Sequence, residues 1–408
     1  MAPMPATAQS ALAIDGGPAV RTAPFPTWPQ FSPDEVAACS AVLASGRVNY
    51  WTGDEGRRFE AEFAASVRRK YAVALANGSV ALELALHVLG IGTGDEVIVP
   101  SRSFVASATC VAVAGARPVF SDCDGESGNM TTALIAPHIA PRTKAIIVVH
   151  LAGWPCDMRP IIQLARDRGL KLIEDCAQAQ GAAHQGVPVG SFGDAAIFSF
   201  CQDKIMTTGG EGGMLVTDDE KLFRQAWSYK DHGKDFATSQ QQESGRSFRW
   251  LHNSRGTNWR MTEMQAAMGR VMLPKISERV RVRQRNAAML RAALAQIPAL
   301  RVPMPGAEVS HAYYRFYAYV RPERLAAGWT RDRILAAIEA EGVPCFSGSC
   351  SEIYLEEAFA GVRPGERFAT ARELGETSLA FLVHPTLGER EMRDTAAAVG
   401  KVMKYAAA

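Results

Sequence analysis

The chain has 408 residues, of which 47% are hydrophobic and 21% charged, with a formal net charge of +2. This length is enough for two domains, and the near-neutral charge argues against nucleic acid or an anionic membrane as a partner. No apolar run is long enough to span a membrane, residues 1–10 lack a signal-peptide pattern, and the eight cysteines form no C-x-x-C pair. We therefore expect a cytoplasmic protein with reduced thiols, no disulfide frame and no metal site.

The first predicted elements are an N-terminal arm and a large sheet. Residues 1–30 are rich in Ala, Pro and Gly, which indicates an arm that lies over something else, such as a partner subunit. From Tyr71 onwards, seven short apolar runs, several of them dense in Val and Ile, predict strands that are buried on both faces. These runs are Ala72–Leu75, Glu96–Val99, Pro118–Ser121, Ala145–Val149, Lys171–Glu174, Ala195–Phe200 and Gly213–Thr217. Helical patterns such as Ser79–Leu89 lie between most of them, so residues 31–275 are expected to form one α/β domain with a mostly parallel sheet.

The pattern changes towards the C-terminus. A capping box at Thr262 predicts a helix through Met272, and Ile276–Leu294 predicts a long charged helix that leads out of the large domain. Tyr313–Val320 alternates like a strand of an antiparallel sheet, and Thr330–Glu341 has the pattern of an amphipathic helix. We expect residues 276–408 to form a smaller α+β domain.

Two residues suggest the chemistry of the protein. Lys204 follows the sixth predicted strand and precedes a glycine-rich turn, while Asp175 closes the fifth strand. Ligands of open α/β sheets bind beyond the carboxyl ends of the strands, so both side chains are expected at one site. A lysine in a tight, partly dry site loses proton affinity and becomes nucleophilic, and an aspartate beside it could pair with a buried cationic nitrogen. Taken singly, Lys204 could be a surface residue and Asp175 a helix N-cap, but together they suggest pyridoxal phosphate (PLP) bound to the lysine as a Schiff base.

The phosphate of such a cofactor needs an anion site. Asn77, Gly78 and Ser79 join the first predicted strand to a helix, and the backbone N–H groups and the Ser79 hydroxyl there would form a phosphate cradle. Ser199, at the end of the sixth strand, would add a second hydroxyl.

Three further residues are candidates for cofactor contacts. Phe104 could stack on the ring or be a plain core aromatic, and Gln178 could reach the ring hydroxyl or be a solvated helix residue. Asn258 could contact the phosphate from a loop or be an ordinary turn residue.

Several stretches, in this order, resemble those of the DegT/DnrJ/EryC1/StrS family of PLP-dependent sugar aminotransferases (fold type I). They are Asn77–Leu82, Gly92–Pro100, Gly115–Phe120, His150–Gly153, Glu174–Gln178, Ser199–Phe200 with Lys204, and Gly256–Met261. The chain departs from the family pattern at Gln180 and Cys201, which stand where histidine is frequent, and at Gly209–Gly210, where the loop is one residue longer. We expect these departures to affect the sugar side of the site.

The resemblance implies a role for each candidate. Lys204 would form the Schiff base and move the proton, Asp175 would pair with the pyridine nitrogen, and Gln178 would meet the ring hydroxyl. Gly78, Ser79 and Ser199 would hold the phosphate, and Phe104 would stack on the ring. Asn258 would reach the phosphate from the neighbouring subunit, which implies a homodimer with shared active sites.

The expected reaction is transfer of an amino group from L-glutamate to a nucleotide-linked keto-deoxysugar. One alternative is an aminotransferase acting on a cyclitol ketone or a related carbocycle, because the N-terminal run Leu12–Pro18 resembles that branch of the family. Another alternative is a non-catalytic PLP-binding regulator. Residues that could line the substrate pocket, each also open to a structural interpretation, are Asn49, Tyr50, Trp51, Lys230, His232, His311, Tyr313, Tyr314, Arg315 and His384. For Lys230 and His232 the favoured interpretation is a solvated polar loop.

Overall fold

The computed structural model describes residues 12–240 and 250–408, so residues 1–11 of the predicted arm lie outside it. Its largest feature is a sheet made of the seven predicted strands. These are β1 (Tyr71–Leu75), β2 (Glu96–Pro100), β3 (Arg117–Ser121), β4 (Thr143–Val149), β5 (Lys171–Asp175), β6 (Ala195–Ser199) and β7 (Gly213–Thr217). Their spatial order is β1-β7-β6-β5-β4-β2-β3, and β7 runs antiparallel to both of its neighbours while the other pairs are parallel. The expected α/β fold with a mostly parallel sheet is confirmed.

Helices cover both faces of this sheet. They are α1 (Pro33–Ser45), α2 (Glu55–Ser66), α3 (Gly78–Val88), α4 (Ala106–Val113), α5 (Thr132–Ile135), α6 (Met158–Asp167), α7 (Glu220–Lys230), α8 (Phe236–Gln240) and α9 (Glu263–Met272). Successive residues of one strand enter different cores: Ala145 and Ile147 of β4 join one buried cluster, and Ile146 and Val148 join another. A strand with no solvated face must be apolar throughout, which is why these strands appear in the sequence as continuous apolar runs.

The C-terminal part contains a four-stranded antiparallel sheet. Its strands are β8 (Leu300–Arg301), β9 (Phe316–Val320), β10 (Cys345–Phe346) and β11 (Ser378–Phe381), in the order β8-β9-β11-β10. The accompanying helices are α10 (Ile276–Leu294), α11 (Arg331–Ala340), α12 (Ala369–Thr377) and α13 (Glu389–Ala406). A short third sheet joins Ala183–His184, Val187–Pro188 and Val309–Ser310. The smaller α+β unit is thus present. Its boundary at residue 276 stays a prediction, because Val280, Ala312 and Tyr314 pack in a core of the large sheet.

The described part of the N-terminal segment is attached to the C-terminal part of the same chain. Leu12 is buried in the core of the four-stranded sheet, and the Glu341 carboxylate accepts hydrogen bonds from the backbone N–H groups of Ala13 and Val20. The buried Arg21 guanidinium lies 2.6 Å from Asp394 and 3.1 Å from Glu391. Among the described residues, no helix is both long and apolar enough to cross a membrane.

Candidate active site

The carboxyl ends of β5 and β6, which are neighbours in the sheet, bring the predicted site residues together. Asp175 is the last residue of β5 and is 5% exposed. Its carboxylate accepts hydrogen bonds from the Ser107 hydroxyl and the Ala177 backbone N–H, both at 3.0 Å, and no cation lies within ion-pair distance among the described residues. Burial raises the pKa of Asp175, although these hydrogen bonds act in the opposite direction.

Lys204 lies in the loop after β6, and its side chain is 16% exposed. Its Nζ is 3.3 Å from Asp203 Oδ1 and 5.0 Å from the centre of the Tyr314 ring. Burial alone would lower the pKa of Lys204, but Tyr314 and Asp203 together raise it. The expectation that the site lowers the proton affinity of this lysine is therefore wrong for the protein alone, because Asp203 stabilises the ammonium form.

The predicted phosphate cradle is assembled at the start of α3. Asn77 caps the helix through a 3.0 Å hydrogen bond from Val80 N–H, and Ser79 is exposed. Gly78 faces Ser199 so closely that a Cβ at position 78 would lie 2.7 Å from Ser199 Cβ. The residues proposed to hold the phosphate thus come from two strand ends and meet at one helix N-terminus.

This contact leads to a prediction for Gly78→Ala. We expect the variant to bind PLP roughly tenfold more weakly or worse, since overpacking costs about 1–3 kcal/mol and would displace Ser199. The apparent Kd for PLP, measured by fluorescence titration, checks this. Gly400→Ala is the matched control because a Cβ there meets no atom within 4 Å. Equal affinities in the two variants would contradict the proposed cradle.

Phe104 lies three residues before Ser107, the partner of Asp175, and Gln178 lies three residues after Asp175. Phe104 is 65% exposed, so it is not a core aromatic. The Ser107 hydroxyl, one helical turn further along the chain, donates to Asp175. Gln178 is buried and not solvated; its Oε1 accepts a 2.7 Å hydrogen bond from Ala152 N–H. That bond orients the amide, so that Nε2 remains the group with which Gln178 would meet a ligand.

Asn258 is exposed, and from the described residues its side chain accepts a single hydrogen bond, a long local one from Arg260 N–H at 3.4 Å. The segment that carries it runs beside the start of the cradle, where Ala76 N–H donates to the carbonyl of Trp259. A role for Asn258 in the site of a neighbouring subunit stays a proposal.

The candidate pocket residues fall into two groups. Tyr314 lies beside Lys204 with Arg315 on the same ring, and His384 stacks on Trp28, whose indole donates to the Lys204 carbonyl. Tyr50 and Lys230 are structural: the Lys230 ammonium is fully buried and pairs with Glu60, and the Tyr50 hydroxyl donates to the same carboxylate. The interpretation of Lys230 as a solvated loop residue is therefore wrong, since the backbone turns its side chain into the core.

Other candidates also have structural partners. Trp51 donates from its indole to Asp231 at 2.6 Å. His311 is buried, stacks on Tyr313 with ring centres 3.8 Å apart, and accepts a hydrogen bond from the Tyr313 backbone N–H. Burial lowers the pKa of His311 to about 3, so the ring is neutral. Asn49 and His232 are exposed.

Gln180, one of the departures from the family pattern, contacts the backbone of Ser199. Its side chain is buried, and Nε2 donates to the backbone carbonyl of Ser199 at 2.5 Å. Gln180 therefore holds the backbone of Ser199, one of the residues proposed to bind the phosphate.

Four residues near the site were not identified from the sequence. Asp203 directly precedes Lys204, and this adjacency was the only available signal. Ser107 binds Asp175, Arg283 lies behind Tyr314, and Trp28 donates from its indole to the Lys204 carbonyl at 3.0 Å. No local pattern could have found these three, because their partners are distant in sequence.

His150, Glu174 and Cys176 lie behind the site and have potential ligand atoms within 4.8 Å of one another. His150 Nδ1 accepts from Cys156 N–H, so its Nε2 donates to Glu174 at 3.1 Å. The Glu174 carboxylate also accepts three backbone N–H groups, from Gly190, Phe192 and Gly193. Hydrogen bonds thus already occupy the potential ligand atoms of His150 and Glu174.

The site fits PLP in three respects. A buried carboxylate without a cation, at Asp175, suits a protonated pyridine nitrogen. A helix N-terminus flanked by Ser79 and Ser199 suits a phosphate. An exposed aromatic side chain, Phe104, is available to cover a ring.

Comparisons with known proteins agree with this geometry. A sequence profile of the DegT/DnrJ/EryC1/StrS aminotransferase family matches residues 29–400. The GDP-perosamine synthase of Caulobacter vibrioides is 40% identical over 72% of this chain and 76% of its own. The L-glutamine:2-deoxy-scyllo-inosose aminotransferase of Streptomyces fradiae is 33% identical over 98% of this chain and 99% of its own. The X-ray structure of an aminotransferase from Psychrobacter cryohalolentis superposes with a TM-score of 0.91 at 51% identity, covering 93% of this chain and 99% of that one.

Proposed function

Since the chain belongs to the DegT/DnrJ/EryC1/StrS aminotransferase family, whose members depend on PLP, we propose that it moves an amino group from L-glutamate to a nucleotide-linked keto-deoxysugar. The products are 2-oxoglutarate and an amino sugar. The observation that carries the proposal is that Lys204, in the loop after β6, and the buried Asp175, at the end of β5, follow adjacent strands.

PLP, when bound, supplies an electron-accepting ring that carries the amino group between the two substrates. Asp175 would hold the positive charge of the ring nitrogen, and Gln178 Nε2 would donate to the ring hydroxyl. Lys204 Nζ would take a proton from the donor carbon that bears the amino group and return it in the reverse half of the reaction. Because Asp203 favours its ammonium form, Lys204 must lose a proton before it acts.

The test is an absorbance titration of the purified, PLP-loaded protein with L-glutamate and, separately, L-glutamine. We expect glutamate to convert the cofactor to its amine form and 2-oxoglutarate to reverse the change. A protein that binds no PLP, or whose spectrum is indifferent to both amino acids, would contradict the proposal. Conversion by glutamine alone would correct the amino donor.

The acceptor is tested with the amine form of the protein. We expect keto-deoxysugars that carry GDP or dTDP to restore the original spectrum. A second candidate acceptor is a cyclitol ketone, favoured by the relative from Streptomyces fradiae, which matches almost the entire chain and whose name specifies 2-deoxy-scyllo-inosose. Restoration by that ketone alone would replace the nucleotide sugar. The regulator alternative predicts no conversion by any donor.

We also propose a homodimer in which Asn258 completes the partner's site. Lys204→Ala and Asn258→Ala should each be poorly active alone, whereas subunits mixed after denaturation and refolding should regain activity. In a mixed dimer, one site has both Lys204 and Asn258 intact. Mixing that restores no activity, although native mass spectrometry shows mixed dimers, would refute shared sites.

A further inference from the structure

Two arginines lie beside Lys204 and have no carboxylate partner in the described part of the chain. Arg315 is half-buried, and its guanidinium is 4.9 Å from the centre of the Tyr314 ring, the same ring that lies 5.0 Å from Lys204 Nζ. Arg283, on α10, is 1% exposed and donates from Nη1 to the backbone carbonyls of Tyr313 and Tyr314, both at 3.3 Å. We call Arg283 and Arg315 the arginine pair.

The arginine pair has unused hydrogen-bonding capacity. Nε and Nη2 of Arg283 are buried and have no hydrogen-bond partner within residues 12–240 and 250–408. A buried guanidinium whose N–H groups are unsatisfied costs stability unless a ligand satisfies them. The pKa of Arg283 falls to about 9, first because of burial and then because of Arg315. An anion between the two arginines would satisfy the N–H groups of Arg283 and offset the repulsion between the two guanidinium groups.

The acidic groups nearby are already used. Glu35 lies 2.7 Å from Arg279 and 3.1 Å from Lys275. Asp203 pairs with Lys204 and accepts a hydrogen bond from the Tyr314 hydroxyl. Among the described residues, no carboxylate lies within 4.0 Å of a guanidinium nitrogen of the arginine pair. Around Lys204, cations therefore outnumber anions.

The arginine pair is physically connected to Lys204. Trp28 donates from its indole to the Lys204 carbonyl, and its ring lies 5.4 Å from the Arg283 guanidinium. Tyr314 provides a second connection: its ring lies near Lys204 Nζ and the Arg315 guanidinium, and its backbone carbonyl accepts a hydrogen bond from Arg283. A small anion bound by the arginine pair would therefore lie close to the reacting amine.

We infer that Arg315 and Arg283 bind a carboxylate of the amino-acid donor, an inference that rests on the proposed function. An α-carboxylate is one bond from the carbon whose amino group must reach the position of Lys204 Nζ. The planar guanidinium presents two parallel N–H groups to a carboxylate, which gives strong and directional binding. A nucleotide sugar carries its diphosphate on the anomeric carbon, several bonds from the ketone of a deoxysugar, and a buried arginine gives such a bulky group little access.

The test uses Arg315→Gln, because Arg315 is only half-buried and the variant is expected to fold. Glutarate, an unreactive dicarboxylate, is titrated into the PLP-loaded protein by calorimetry, with its neutral diamide as the matched ligand. We expect Arg315→Gln to weaken glutarate binding roughly tenfold to a hundredfold, Arg315→Lys to weaken it less, and neither to change diamide binding. Arg324→Gln, an exposed arginine in the same part of the chain, should match the wild type.

A second arm identifies the anion. GDP and dTDP are titrated into the same variants. Weakened GDP or dTDP binding with unchanged glutarate binding would overturn the inference and assign the arginine pair to the diphosphate. Equal glutarate affinities in Arg315→Gln and Arg324→Gln would also overturn it. Because glutarate does not react, these outcomes do not depend on whether the protein turns over glutamate, which the absorbance titration decides separately.

Discussion

Lys204→Ala is expected to remove covalent attachment of PLP and to lower the rate of transamination by about a thousandfold or more. The amine is proposed to serve both as the point of attachment and as the proton carrier, and general acid–base catalysis alone contributes about 10²–10⁴-fold. Borohydride reduction followed by peptide mass spectrometry measures attachment, and amino-sugar formation measures the rate. The variant should still bind PLP non-covalently, because the proposed contacts at Asp175, Gly78 and Ser199 remain.

Lys221→Ala is the matched control, since Lys221 is an exposed lysine of α7. It should retain both attachment and rate. If reduced PLP is found on another lysine in the wild-type protein, or if Lys204→Ala keeps its rate, Lys204 is not the reacting residue. A loss of folding is excluded by an unchanged thermal transition of the cofactor-free variant.

Asp175→Asn is expected to affect the cofactor-bound and cofactor-free proteins in opposite ways. With PLP bound, the variant lacks the carboxylate that would pair with the ring nitrogen, and breaking a buried pair costs about 3–5 kcal/mol, or roughly a hundredfold to several thousandfold in rate. Without PLP, Asp175 is a buried carboxylate that no cation of the described residues pairs with, so the amide should be tolerated at least as well.

The pH dependence follows from the direction of the shift. Folding raises the pKa of Asp175, so the folded state prefers the protonated form. The carboxylate therefore destabilises the cofactor-free protein progressively as the pH rises from its unfolded to its folded pKa, and fully above the folded pKa. Asp175→Asn removes this loss, so its cofactor-free Tm at neutral pH should equal or exceed that of the wild type.

Calorimetric scans with and without PLP, at several pH values, test both statements. The rise in Tm on adding PLP should be smaller in Asp175→Asn than in the wild type. Asp332→Asn is the control because its carboxylate is 81% exposed, and it should change neither quantity. A cofactor-free Asp175→Asn protein that melts well below the wild type would mean that the carboxylate serves the fold and not the ligand.

The seven strands of the large sheet could be predicted because each is a short apolar run, and their predicted ends differ from the observed ends by no more than two residues. The strand expected from Tyr313 begins only at Phe316. Alternation continues through this stretch, but Tyr313 has φ +48°, outside the extended region, and Tyr314 N–H donates to the Ala152 carbonyl. A side-chain pattern cannot reveal a backbone turn that a distant segment imposes.

The same contrast holds for the candidate site. Lys204, Asp175 and the cradle could be predicted because each lies at the carboxyl end of a strand or in the loop that follows it, positions defined by local sequence. The proton affinity of Lys204 was predicted wrongly because Tyr314, which raises its pKa together with Asp203, belongs to a remote segment. Arg283 resembles a solvated residue in the charged run of α10, yet it is fully buried.

The sequence by itself determined the order of strands and helices, the α/β class and the residues at the strand ends, because burial on both faces and strand-to-helix turns have local signatures. Only the tertiary structure decided which charges are paired. It joined Lys230 to Glu60, placed Asp203 and Tyr314 at Lys204, and gave the arginine pair no carboxylate from the described residues. Electrostatic interactions depend on distances in space and on burial, and chain folding determines both of these only when segments far apart in sequence pack together.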